Sequence, residues 1–259
     1  MIIKILSQAL LLASLIIAST IQENPIIAAP NIQEVPIIAP TIQESPIIAQ
    51  AIHNCKIYSE KSLNSAIGEL IAGQSVEILE DFSYKVYKVL ANDIIGWVKA
   101  QDIKIPPETQ ADRSVVSKEG LEDFVNNANY SSSTNYLILT EINRQKTHVF
   151  TKNNKAWQLS KTFSCSTGLN ISPTTRGIFK ISDRSPWFYS DRLAAGARYW
   201  MRFNGQYLFH STPMDKHKNI IPQENKVGEK RSSGCIRLML DDAKWLYQNI
   251  PKDTTVVII

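Results

Sequence analysis

From Thr134 to the end of the chain, apolar residues come in short runs broken by turn formers, and only one stretch keeps a helical period. Tyr136-Leu137-Ile138-Leu139, Thr147-His148-Val149-Phe150, Trp157 to Phe163, Gly177 to Ile181 and Thr254 to Ile259 are rich in β-branched and aromatic side chains, the composition of strands. Arg198 to Phe203 and Gln206 to His210 flank Asn204-Gly205, which suits the two positive-φ positions of a type I′ turn and predicts a tight hairpin. Asp241 reads as the N-cap of a short helix, Asp242 to Asn249, closed off by Pro251. Many strands and one helix exclude a doubly wound α/β sheet. The expectation for residues 134–259 is a β-sandwich or barrel with one short helix near its end.

Upstream, residues 53–105 hold further short strands at Lys56 to Tyr58, Ser75 to Leu79, Lys85 to Val89 and Gly96 to Val98, with turn residues between them. A small β-barrel follows. Ala66-Ile67-Gly68-Glu69-Leu70 and Gly96-Trp97-Val98 resemble a bacterial SH3-like module, which implies either wall-peptide binding or a spacer role. Pro106-Pro107 opens a polar linker over 106–133, with a helical pattern at Lys118 to Asn129 carried by Leu121, Phe124 and Val125.

The first fifty residues are organised differently. Ile21 to Ala28 recurs as Ile32 to Ala39 and as Ile42 to Ala49, each copy with a central proline. Proline fixes its own φ and biases its predecessor to extended geometry, so 21–52 is expected to be a semi-extended spacer. Before it, Lys4 precedes an apolar run from Ile5 to Ala18 and then small residues. Three readings stand: a cleaved signal peptide over 1–20, a retained membrane anchor, or an ordinary buried helix. The first two place the chain outside the cytoplasm, in the cell wall or on the outer face of the membrane, and that is the expected location.

Charge and cysteine use narrow the chemistry. From Thr134 onward there are 19 Lys and Arg against 9 Asp and Glu, a net +10; the rest holds 9 basic and 15 acidic residues, a net −6. A basic C-terminal half suits an anionic partner such as a wall polymer. No nucleic-acid motif is present, and no nucleic-acid partner is expected. The three cysteines are Cys55, Cys165 and Cys235, an odd number that does not read as a disulfide framework. Four scattered histidines and three cysteines do not make a zinc site, and no glycine-rich phosphate loop occurs, so no metal or cofactor is implied.

Cys235 stands in Ser232-Ser233-Gly234-Cys235-Ile236-Arg237-Leu238. Glycine beside a thiol leaves room for a carbonyl substrate, and backbone N–H groups of Gly234 and Cys235 are candidates for an oxyanion hole. Arg231 and Arg237 favour the thiolate. His210 ends a predicted strand 25 residues earlier, a position that suits a general base. Tyr207 to Thr212, Ser233 to Leu238 and Asp242 to Tyr247 resemble the L,D-transpeptidase catalytic family over about Thr134 to Ile259. Ser166-Thr167-Gly168 and Ser172-Pro173-Thr174-Thr175-Arg176-Gly177 support the resemblance. Ser233 is a departure, because many members carry histidine there.

The resemblance implies a cysteine acyltransferase. Cys235 would attack a peptidoglycan stem peptide, expel its terminal D-alanine and pass the acyl group to the amine of a second stem. His210 would be the base, with the Ser211 carbonyl holding its tautomer. Arg237 is implied either to bind a stem carboxylate or to brace the loop, and Ser233 to tune the site. Tyr199 and Tyr207 are candidates for the donor cleft. Carbapenems, as acyl-donor mimics, are the expected inhibitors. Hydrolysis in place of transfer, a carboxypeptidase, is one alternative. A wall-binding protein with an inactive catalytic domain is another. A papain-like order, with Cys before His, is not the order of this chain. His148, His217 and Cys165 read as structural residues.

Overall fold

The computed structural model describes residues 42–259. The N-terminal apolar segment and the first two repeat copies lie outside the described residues. The described chain is mainly β, with two helices and two sheets.

The first sheet comprises β1 (Ile47–Ala51), β2 (Cys55–Tyr58), β3 (Ala66–Leu70), β4 (Ser75–Phe82), β5 (Val86–Ala91), β6 (Ile94–Lys99) and β7 (Ile103–Lys104). Its order is β3-β2-β6-β5-β4-β1-β7. Alternate residues Val76, Ile78, Val89 and Val98 meet Ala49, Ile57, Leu70 and Tyr87 in one core, as a half-buried sheet requires. Strand β1 starts in the second half of the third repeat copy and runs two residues past it, so this sheet begins inside the segment read as spacer. Ile47 pairs with Ile78 and Ala51 with Ile103. Pro46 stands just before the strand, where its missing N–H takes no bond from the ladder.

Two hairpin turns in this sheet have left-handed central residues. Asn92 (φ 46°) and Asp93 (φ 64°) join β5 to β6. Ser83 (φ 58°) and Tyr84 (φ 59°) join β4 to β5, with the Lys85 N–H donating to the Phe82 carbonyl at 3.2 Å. Both fit the type I′ pattern that matches strand twist.

Helix α1 (Lys118–Asn127) lies in the predicted linker and starts at Ser117, whose hydroxyl accepts the Gly120 N–H at 3.0 Å. The second sheet has nine strands: β8 (Tyr136–Glu141), β9 (Lys146–Asn153), β10 (Ala156–Ser166), β11 (Gly177–Lys180), β12 (Arg184–Ser190), β13 (Ala195–Asn204), β14 (Tyr207–Ser211), β15 (Ile236–Leu238) and β16 (Thr255–Ile258). The order is β11-β16-β8-β9-β10-β15-β14-β13-β12. Strands β16 and β8 run parallel, as do β14 and β15. Helix α2 (Leu240–Asn249) follows β15.

The continuous apolar runs in this half are explained by burial on both faces. Leu137 and Leu139 face α1, whose Leu121 and Val125 pack with Phe150 and Trp157. Ile138 faces the other way, into a core with Met201, Phe209 and Leu238 that α2 closes with Ala243 and Leu246. His148 and Glu141 are buried between strands. His148 Nε2 lies 3.0 Å from Glu141, its Nδ1 lies 2.9 Å from the Thr162 hydroxyl, and Arg144 pairs with the second Glu141 oxygen.

Several local expectations change. Helix α2 begins two residues early at Leu240, with Met239 as an N-cap that makes no side-chain bond. Asp241 and Asp242 lie in the first turn, where they meet the positive end of the helix dipole. In the turn between β13 and β14, Asn204 pairs with Tyr207, and of the two central residues Gly205 alone has positive φ (46°). A glycine at the first of two central positions is the type II′ pattern, so Asn204 does not take the I′ role. Strand β12 was not expected. It is an edge strand and tolerates Pro186 for that reason.

Candidate active site

Strand β15 begins one residue after Cys235 and pairs in parallel with β14. Phe209 lies beside Ile236, His210 beside Arg237 and Ser211 beside Leu238. Alternation along the two strands then puts His210, Arg237 and Cys235 on one face and Phe209, Ile236 and Leu238 in the core. An imidazole and a thiol 25 residues apart in sequence thus share a surface because a three-residue strand docks next to the hairpin.

His210 is buried and its orientation is fixed. Nδ1 lies 2.6 Å from the Ser211 carbonyl oxygen. A carbonyl only accepts, so Nδ1 carries the proton and Nε2 presents a lone pair. The Phe188 ring meets the imidazole edge-on at 5.7 Å between centroids. Ser211 is itself pinned: its hydroxyl donates to the Thr212 carbonyl at 2.9 Å and accepts the Arg198 N–H at 3.0 Å. Burial pulls the imidazole down to about 4, helped by the Arg237 charge and opposed by the Ser211 hydrogen bond. Cys235 is half-buried and a free thiol. Burial pushes it up, while a backbone hydrogen bond from Leu208 and the Arg237 and Arg202 charges work against that rise. Both groups therefore rest neutral, and the Cys235 thiol donates to the Gln206 carbonyl at 3.9 Å.

The loop before the thiol is built around Gly234 (φ 100°). Its N–H donates to the Ser232 hydroxyl at 3.1 Å, and its carbonyl accepts from the Thr174 hydroxyl at 2.8 Å. Thr174 in turn accepts the Gly168 N–H at 2.9 Å. The Ser-Thr-Gly and Ser-Pro-Thr-Thr segments singled out in the sequence are thus the brace of the cysteine loop. The Gly234 N–H is engaged inside that loop, so Gly234 shapes the site and is not a free oxyanion donor.

Arg237 pairs with Glu224 at 2.6 Å and so ties β15 to the long loop between β14 and β15. Tyr207 is buried in the core with its ring against Gly234, and Tyr199 packs on Tyr247 of α2 at 5.7 Å. Neither tyrosine shares the face of His210 and Cys235, so the structure does not bring them to the donor cleft. Tyr199 (φ 57°) interrupts β13. Ser233 is exposed, and its hydroxyl lies 2.7 Å from the Tyr84 hydroxyl on the first sheet. Tyr84 has no sequence signal beyond its place in the gap between two strand-like runs, Ser75 to Leu79 and Lys85 to Val89. Cys165 is buried in β10 and its thiol is pushed up to about 12 by burial. His217 is in an exposed turn whose N–H donates to Asp215. A cavity of about 420 Å³ lies between the first sheet and the Thr174-to-Ile178 segment; Glu44, Glu80, Lys88 and Arg176 are among its lining residues, and Cys235 and His210 are not.

Residues 135–258 match the model of the YkuD family, described as the L,D-transpeptidase catalytic domain. This segment is an L,D-transpeptidase catalytic domain. The Bacillus subtilis (strain 168) protein YciB, named as a candidate L,D-transpeptidase, is 47% identical over 89 residues, 33% of this chain and 46% of that protein. The chain thus spans under half the length of this curated relative. A Clostridium acetobutylicum (ATCC 824) structure, described as a fused Zn-dependent amidase/peptidase/peptidoglycan-binding domain-containing protein, is 25% identical with a TM-score of 0.46, covering 58% of this chain and 65% of that one. An L,D-transpeptidase of Stackebrandtia nassauensis is 21% identical with a TM-score of 0.40, covering 50% and 58%.

Proposed function

We propose that this chain is an exported peptidoglycan L,D-transpeptidase working through a Cys235 thioester. The observation that carries the reading is the parallel β14–β15 register, with a His210 tautomer set by the Ser211 carbonyl. The thiol proton passes to His210 Nε2 as sulfur attacks the carbonyl of the third stem residue. The oxyanion forms beside the Cys235 N–H, the neighbour of the engaged Gly234 N–H. Collapse breaks the peptide bond, and the proton on His210 leaves with the D-alanine amine. The amine of a second stem then attacks the thioester, gives its proton to His210 and releases the thiol as the cross-link forms. Arg237 holds the loop through Glu224 and stabilises the thiolate as it develops.

The test is intact-mass spectrometry of the full chain with a carbapenem. Wild type should gain one acyl adduct and Cys235→Ala none, with both keeping the same far-UV circular dichroism. No adduct on wild type, or an adduct on Cys235→Ala, overturns the reading.

A further inference from the structure

We propose that Tyr84, on the β4–β5 turn of the first sheet, is a substrate-binding residue of the Cys235 site. The peptide entering the site would run under its ring. The inference rests on the proposed transpeptidase reading and extends the site to a second sheet.

Three observations carry it. The first is position. The Tyr84 hydroxyl lies 2.7 Å from the hydroxyl of Ser233, two residues before the thiol, and both groups are exposed. The second is backbone strain in an unusual place. Both turn residues, Ser83 and Tyr84, have positive φ, which the neighbouring β5–β6 turn fills with Asn92 and Asp93. Asparagine and aspartate adopt that region readily, whereas serine and above all a bulky tyrosine do so rarely and at a cost. Tyr84 is 49% exposed, so its own packing does not offset the strain.

The third is that the catalytic half itself holds the turn in place. Asp81 is buried; one of its oxygens accepts the Tyr84 N–H at 2.8 Å and the other accepts the Ser172 hydroxyl at 3.0 Å. Tyr87 donates to the Ile171 carbonyl at 2.8 Å, and Glu77 pairs with Arg176. Residues 171–176 flank Thr174, the brace of the cysteine loop. The turn and the thiol are therefore fixed to one frame, with an exposed aromatic ring at the mouth. A tyrosine ring covers an extended peptide backbone well, and its hydroxyl can exchange Ser233 for a peptide carbonyl or carboxylate.

The experiment uses the full chain with a disaccharide-tetrapeptide donor. Tyr84→Asn removes the ring and keeps a residue suited to the left-handed turn, so the fold is retained. KM for the donor should rise roughly three- to tenfold, the worth of one aromatic contact, with kcat within about twofold. Alkylation of Cys235 by iodoacetamide, which needs no peptide site, should keep its wild-type rate. Tyr84→Phe should give a smaller rise in KM. An unchanged KM in Tyr84→Asn overturns the inference. So does a parallel fall in alkylation rate, because Tyr84 would then act by holding the loop. A wild type that forms no acyl-enzyme overturns the transpeptidase reading instead, and is distinguished by that.

Discussion

Replacing Gly234 with alanine tests how tightly the cysteine loop is built. A Cβ there would sit 2.1 Å from Cε1 and 2.6 Å from Cδ1 of Tyr207, with the Pro173 carbonyl oxygen at 3.2 Å. Tyr207 cannot swing aside, because it is 2% exposed and stacked on Phe203 at 6.3 Å. The residue also keeps a φ of 100°, outside the range of ordinary side chains. Backbone strain of about 1–3 kcal/mol and overpacking of about 1–3 kcal/mol add to roughly 2–6 kcal/mol. In a protein of this size that lowers Tm by roughly 5–20 °C. If the loop yields instead, the thiol moves off the His210 face and transfer falls with it. Calorimetry and Cys235 acylation measured together separate the two routes. The double variant Gly234→Ala with Tyr207→Leu should regain about 1–3 kcal/mol, since only the steric share is relieved. A single variant that melts within about 2 °C of wild type and acylates normally would refute the packing argument.

Two further outcomes follow from the buried polar groups. In the proposed mechanism His210 must be unprotonated to take the thiol proton, so kcat/KM should fall only as pH drops through about 4, well below the ordinary 6.5. Because the folded value is depressed, its stability contribution is full above 6.5 and lost as pH falls toward about 4. A pH–rate profile with its acid limb at 6.5 would contradict this. Glu141→Gln takes the charge from a buried carboxylate that receives both Arg144 and His148. Denaturant unfolding should show a loss of about 3–5 kcal/mol, and a loss under about 1 kcal/mol would contradict the pairing.

The sequence carries the site better than it carries the frame. Cys235, His210 and the Ser-Pro-Thr-Thr segment are legible because their spacing and neighbours are unusual. The hairpin is legible because Gly205 must turn. Strand β15 is hidden, since three residues show no period and its parallel partner lies far back in the chain. Strand β1 is masked by its likeness to two earlier repeat copies. Tyr199 and Tyr207 read as cleft residues because alternation alone does not say which face of a strand is covered; α2 and Gly234 decide it. Tyr84 is invisible because its role is set by how one sheet meets the other.

The neutral Cys235–His210 pair bears on chemical durability. Peroxides and disulfides react with thiolates, so a thiol held protonated by burial is a slow target for oxidation. Cys165, the other cysteine of this domain, is sealed in the core with its thiol at about 12, and so is no ready resolving partner for an oxidised Cys235. In the proposed mechanism Cys235 therefore waits in an inert form. It becomes reactive when a carbonyl arrives and the proton has somewhere to go.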